Sequence, residues 1–165
     1  MSVNSPWGCF KNGLPASGGG GTPFTPTNLA FYAERSTNQT IGGGATVIID
    51  TDLVIRENPV GTFDLVNNRF TCTVPGNYVF CLSVDMQFGG FSAYGVCALR
   101  VNGTTRTDEQ AEADIDDYIR MGNSFIWPKL EVGDYVDAIV FNSDIFSATL
   151  VGCQNQFSGC LITTP

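Results

Sequence analysis

Apolar and polar side chains alternate between residues 62 and 80, and this constrains the fold more than any other feature of the chain. The stretch reads Thr62-Phe63-Asp64-Leu65-Val66-Asn67-Asn68-Arg69-Phe70-Thr71-Cys72-Thr73-Val74-Pro75-Gly76-Asn77-Tyr78-Val79-Phe80. Phe70, Cys72 and Val74 fall on one face of an extended backbone, and Tyr78, Phe80 and Leu82 restart the same period. Pro75-Gly76-Asn77 must interrupt it, because proline brings no donor and Gly-Asn tolerates positive φ. The spacing predicts a tight hairpin in which Val74 faces Tyr78, Cys72 faces Phe80, and Cys81 points to the other side of the sheet.

The same period extends along the chain. Strands are expected at Leu29 to Glu34, Thr46 to Ile55 (bent or bulged at Asp50 and Asp52), Ala93 to Val101, 117 to 127, 134 to 142 and Phe157 to Thr163. Thr40 to Ala45 reads as a glycine-rich link, and Asn102-Gly103 is a hairpin-turn signal. No window has a long 3.6-residue period, and no apolar run reaches the roughly 18 residues that a membrane span needs. The expected class is all-β, with seven or eight strands arranged as a jelly roll. Low charge (15%) with 12% aromatics suits a sandwich that also buries surface against neighbours.

Three motifs, taken in order, resemble the globular head of the complement C1q and tumour-necrosis-factor-like family. The first is the phenylalanine strand, Pro75-Gly76 turn and Tyr78-Val79-Phe80 strand described above. The second is Leu130-Glu131-Val132-Gly133-Asp134-Tyr135-Val136, and the third is Phe157-Ser158-Gly159-Cys160-Leu161-Ile162. The resemblance spans residues 62 to 162. It implies a C1q-like jelly-roll β-sandwich that assembles as a homotrimer and binds partners rather than transforming them. Phe31, Phe63, Phe125, Trp127 and Phe157 are the candidates for the trimer interface, with ordinary intradomain core as the other reading.

Composition removes several functions. A net charge of −8 and eight scattered basic residues, no two adjacent, cannot build the positive stripe that phosphates require, so no nucleic-acid partner is expected. With no histidine, the commonest general base and zinc ligand are missing. No catalytic residues, metal site or cofactor is expected. Residues 108 to 117 hold six carboxylates and read as a solvated acidic loop, without the spacing of a calcium-binding EF-hand. The six cysteines contain no Cys-x-x-Cys and sit mostly in strand context as small apolar fillers. Asn38-Gln39-Thr40 and Asn102-Gly103-Thr104 match the N-glycosylation pattern, which has meaning only in a eukaryotic secretory route.

The chain divides at about residue 27: an extended Gly/Pro-rich arm at 1–27 and the jelly-roll domain at 28–165. Gly18 to Gly21 read as a joint, and Pro23 and Pro26 favour extension. Trp7, Phe10, Leu14 and Phe24 are large apolar residues on this polar string, the kind that anchor an interface. The Met1-Ser2-Val3-Asn4 start carries no basic-then-apolar leader, so synthesis without export is expected. Together these features predict a virion protein assembled in the host cytoplasm. It would be a trimeric decoration or cement protein whose arm binds the major capsid protein lattice of a phage, without membrane insertion. The alternative reading is a recognition module, a fibre tip or C1q-like lectin, that binds a cell-surface glycan or receptor.

Overall fold

The computed structural model describes residues 29–59, 61–89, 93–113 and 118–164. Among them are thirteen strands and no helix. They are β1 (Ala30–Glu34), β2 (Gln39–Ile41), β3 (Thr46–Ile48), β4 (Leu53–Asn58), β5 (Phe63–Asp64), β6 (Arg69–Thr71) and β7 (Gly76–Phe88). After these come β8 (Ala93–Val101), β9 (Thr104–Ala113), β10 (Tyr118–Leu130), β11 (Tyr135–Asn142), β12 (Ala148–Leu150) and β13 (Gln156–Thr163).

The strands form two antiparallel sheets. In the seven-stranded sheet the long β7 takes β10 along one edge and both β13 and β12 along the other. β1 then lies beside β13, β2 beside β12, and β4 closes the sheet against β1. The six-stranded sheet runs β9, β8, β11, with β6 and β3 sharing the far edge of β11 and β5 outside β6.

The predicted hairpin at Pro75 does not form. β6 belongs to the six-stranded sheet and β7 to the seven-stranded one, so the chain crosses the sandwich instead of turning back beside itself. Alternation buries one face of each strand equally well whether the strands lie side by side or face to face. Here they face each other: the Phe70 ring lies 5.2 Å from Tyr78 and 5.4 Å from Phe80 across the core. The buried Tyr78 hydroxyl donates to the Val74 carbonyl and so ties down the crossing. Burial, together with the contact to Cys72, pushes its pKa well above the usual value for tyrosine.

The core is an aromatic stack filled from both sheets. Phe31 sits at its centre, 4.9 Å from Phe63, 5.6 Å from Phe70 and 4.9 Å edge-on from Phe157. Gly159 is needed where it stands, because a Cβ there would lie 2.5 Å from a Phe80 ring carbon and 2.8 Å from Phe31. Thr46 to Ile55 is not one bent strand. β3 pairs in one sheet and β4 in the other, with Arg35 gripping Asp50 at the crossing. The acidic stretch is not wholly a loop either: residues 108 to 113 are the outer part of β9, and 114 to 117 lie outside the described residues. The Asn102-Gly103 turn starts the β8–β9 ladder, an irregularity between Thr105 and Thr107 shifts its register, and backbone pairing then continues outward as far as Ala93 opposite Ala113.

Candidate functional site: the outer face of the seven-stranded sheet

Strand parity decides what the seven-stranded sheet shows to the outside. In β7, Tyr78, Phe80, Leu82 and Val84 point into the core, so Val79, Cys81, Ser83 and Asp85 point out. In β10, Ile119 and Met121 point in, and Tyr118, Arg120, Gly122, Ser124 and Ile126 point out. The register aligns these outward residues into rows. One row reads Ile126, Val79, Cys160, Ala30; the next reads Ser124, Cys81, Ser158, Tyr32; the third reads Gly122, Ser83, Gln156, Glu34.

These rows are small or apolar near the β10 side, with Ile126 64% exposed, and beyond them Tyr118, opposite Gln87, is 57% exposed. On the β10–β7 side, charge enters as a compensated pair: Arg120 donates twice to Asp85, from Nε and from one terminal nitrogen, at 2.6 Å each. Those hydrogen bonds raise the Arg120 pKa further above its already high value. Tyr32, half-buried at the β1 margin, is pushed up by burial and then by the Glu34 carboxylate beside it. Small side chains on a pleated surface let a second layer approach to sheet-packing distance, roughly 10 Å. Such a face suits contact with another protein surface.

The outer face of the six-stranded sheet is mixed. Rows Ile48–Ile139–Ala98 and Thr46–Phe141–Val96 are mainly apolar. Below them, Arg100 holds Asp137 through two hydrogen bonds of 2.8 and 2.6 Å, and the Arg69 guanidinium stacks 4.6 Å from the Tyr135 ring centre. Among the described residues no group of three or more His, Cys, Asp or Glu is placed to hold a metal. The hollow between Pro75–Asn77 and Lys129–Glu131 measures about 220 Å³ and is lined by Lys129, Glu131 and Asn77, whose amide already accepts the Lys129 backbone N–H and donates to the Thr163 hydroxyl.

The residues singled out from the sequence are placed unevenly. Phe31, Phe63 and Phe157 are at most 4% exposed inside a single copy, so of the two readings given them, core is the one that holds. Phe31 stacks on Phe63, Phe157 meets both edge-on, and the three rings have almost no surface left to offer a neighbour. Phe125 and Trp127 are half-buried on the inward side of β10, where Phe125 meets Phe80 at 6.0 Å and Arg106 lies 4.9 Å over the Trp127 ring. Trp7, Phe10, Leu14 and Phe24 lie outside the described residues. None of the five described cysteines is in a disulfide; Cys72 is buried in the core and Cys81 faces the opposite side, as alternation requires.

Sequence reasoning passed over Ile126, Val79, Cys81 and Cys160, which carry the outer face. The signal was parity: in Phe125-Ile126-Trp127 the aromatics share the phase of Met121, and Ile126 has the opposite one.

Comparison with known proteins comes to the same architecture. The C1q domain family model matches residues 30–162. Among solved structures, the globular domain of zebrafish complement 1qA protein superposes with a TM-score of 0.64 at 18% identity, covering 84% of this chain and 99% of that one. Eiger TNF from S. frugiperda gives a TM-score of 0.63 at 12% identity over 85% of this chain and 95% of that one. Murine APRIL gives 0.57 at 9% identity, with 82% and 99% covered. No curated protein sequence matches the chain.

Proposed function

The chain belongs to the C1q domain family, and from that premise we propose that it is a structural virion protein that decorates the outside of a phage capsid. Copies associate through the outer face of the seven-stranded sheet, three to an assembly as the family resemblance implies, and the N-terminal arms grip the major capsid protein lattice. The particle forms in the host cytoplasm and stays on the virion surface, and its work is binding rather than catalysis.

The observation that carries this reading is the contrast between arm and head. Residues 1–28 contain Lys11, no acidic residue, and the four large apolar residues Trp7, Phe10, Leu14 and Phe24. Seven of the eight basic and all sixteen acidic residues follow, leaving the head at a net −9. Heads so charged repel one another and stay soluble, while a tether with one cation, no acid and four large apolar residues is suited to burial. Burying each aromatic anchor contributes about 2–3 kcal/mol, and three tethers on one particle act at high effective concentration.

Deleting residues 1–27 is the test. The truncated protein should remain folded and self-associated but no longer co-sediment with undecorated heads. Retained decoration would sink the anchoring role.

One observation favours a second reading, a glycan- or receptor-recognition module. Ile145 (84% exposed) and Phe146 (48%) project from the loop before β12, which pairs with the far end of β7, roughly 33 Å from the end where Leu29 enters. A binding signal on a glycan array that disappears in Ile145→Ser/Phe146→Ser would support that module instead.

A further inference from the structure

The Asn102-Gly103 turn joins β8 to β9 with both residues at positive φ, 51° and 75°. The Asn102 side chain spans to the neighbouring turn. Its Nδ2 donates to Asp134 Oδ1 at 2.7 Å, and its Oδ1 accepts from the Tyr135 backbone N–H at 3.0 Å. Its own backbone N–H donates to the Tyr135 carbonyl at 3.0 Å, and Asp134 Oδ2 accepts the Glu131 N–H at 2.8 Å. Two exposed turns, the β8–β9 hairpin turn and the crossing from β10 in one sheet to β11 in the other, are thus clasped by one amide.

An asparagine followed by glycine is chemically exposed, because glycine has no side chain to shield its backbone nitrogen. We propose that Asn102 is a deamidation site held in check by this clasp, and that deamidation, once the hairpin opens, disables the clasp irreversibly. The Gly103 nitrogen attacks Asn102 Cγ. The N–Cγ bond forms, the Cγ–Nδ2 bond breaks, and Nδ2 leaves as ammonia with the proton that Gly103 gives up. Water then opens the cyclic imide at either carbonyl, giving aspartate or isoaspartate.

The folded turn blocks the first step. With Asn102 in the left-handed region, ψ near roughly +47° carries the Gly103 nitrogen to the opposite side of the Cα–C bond from Cβ, whereas cyclisation needs the two nearly eclipsed. The amide is also pinned at both its oxygen and its nitrogen. The product reverses the interaction: a carboxylate replaces a donor 2.7 Å from Asp134, and isoaspartate adds a backbone carbon that breaks the turn's register.

The experiment incubates the full chain at pH 8.5 and 37 °C, folded and in concentrated urea. Peptide mapping follows the one-dalton gain at Asn102, with Asn12-Gly13 in the urea sample as the reference for an unprotected pair. Asn102 should convert at least ~10-fold more slowly in the folded protein than in urea. Equal rates would overturn the proposal. Asp134→Ala, which removes the acceptor, should speed conversion in the folded protein; no change would also count against it. Asn102→Asp, mimicking the product, should lower Tm at pH 7, with the deficit shrinking as pH falls and the paired carboxylates are neutralised. A variant melting like the parent at every pH would show that the clasp has no consequence.

Discussion

Asp134 ties its own turn to a distant one, and its charge reports on that tie. The Asn102 amide, with the Glu131 backbone N–H, holds its pKa below the ordinary value of 3.8, against a smaller opposing effect of burial. Asp64 is lowered in the same sense, chiefly by the Asn67 side chain and backbone. A depressed folded pKa contributes stability that is present above the unfolded value and lost as pH falls through the folded one. Thermal melts should therefore be level from pH 8 to about 5 and decline below about 4, with Asp134→Asn flattening the decline. Gly159 gives a second residue-scale test. Gly159→Ala places a methyl group against the Phe80 ring and should lower stability by about 1–3 kcal/mol, read from the urea midpoint.

At the scale of the element, β10 separates two roles by parity alone. Phe125 packs inward against Phe80, while Ile126 faces out. Phe125→Ser should cost about 2 kcal/mol in folding, because it leaves a cavity behind the ring. Ile126→Ser should leave the urea midpoint almost unchanged and weaken self-association, measured by sedimentation velocity. If both substitutions act on folding alone, the outer face is not an interface. β8, β11 and β13 match the stretches that the apolar period marks in the sequence. β6 and β7 did not keep their predicted partnership, because periodicity specifies a buried face and is silent on which strand lies beside it. β9 was missed because ladder pairing from a tight turn needs no apolar pattern.

For the whole molecule, charge and apolar surface oppose each other. On the proposed assembly, heads carrying a net −9 would meet through a face of small and apolar residues, so association should tighten as salt rises from about 20 to 300 mM, where the screening length falls to several ångströms. An assembly that weakens with salt would mean that ion pairs, not apolar rows, hold it. The proposed capsid-binding role belongs to this scale too, since three arms on one particle would bind together or hardly at all.

By itself the sequence determined the class, the family motifs and the turn at Asn102-Gly103. Each of these rests on local chemistry: a period of two, a residue without a donor, a pair that tolerates positive φ. Only the tertiary structure decided that Phe31, Phe63 and Phe157 are consumed inside one copy and that Ile126, Val79, Cys81 and Cys160 form the outward rows. Which apolar residue faces a core and which faces a neighbour depends on the phase of each strand within its sheet. That phase is fixed by pairing between residues as far apart as Val79 and Cys160, and no local pattern encodes it.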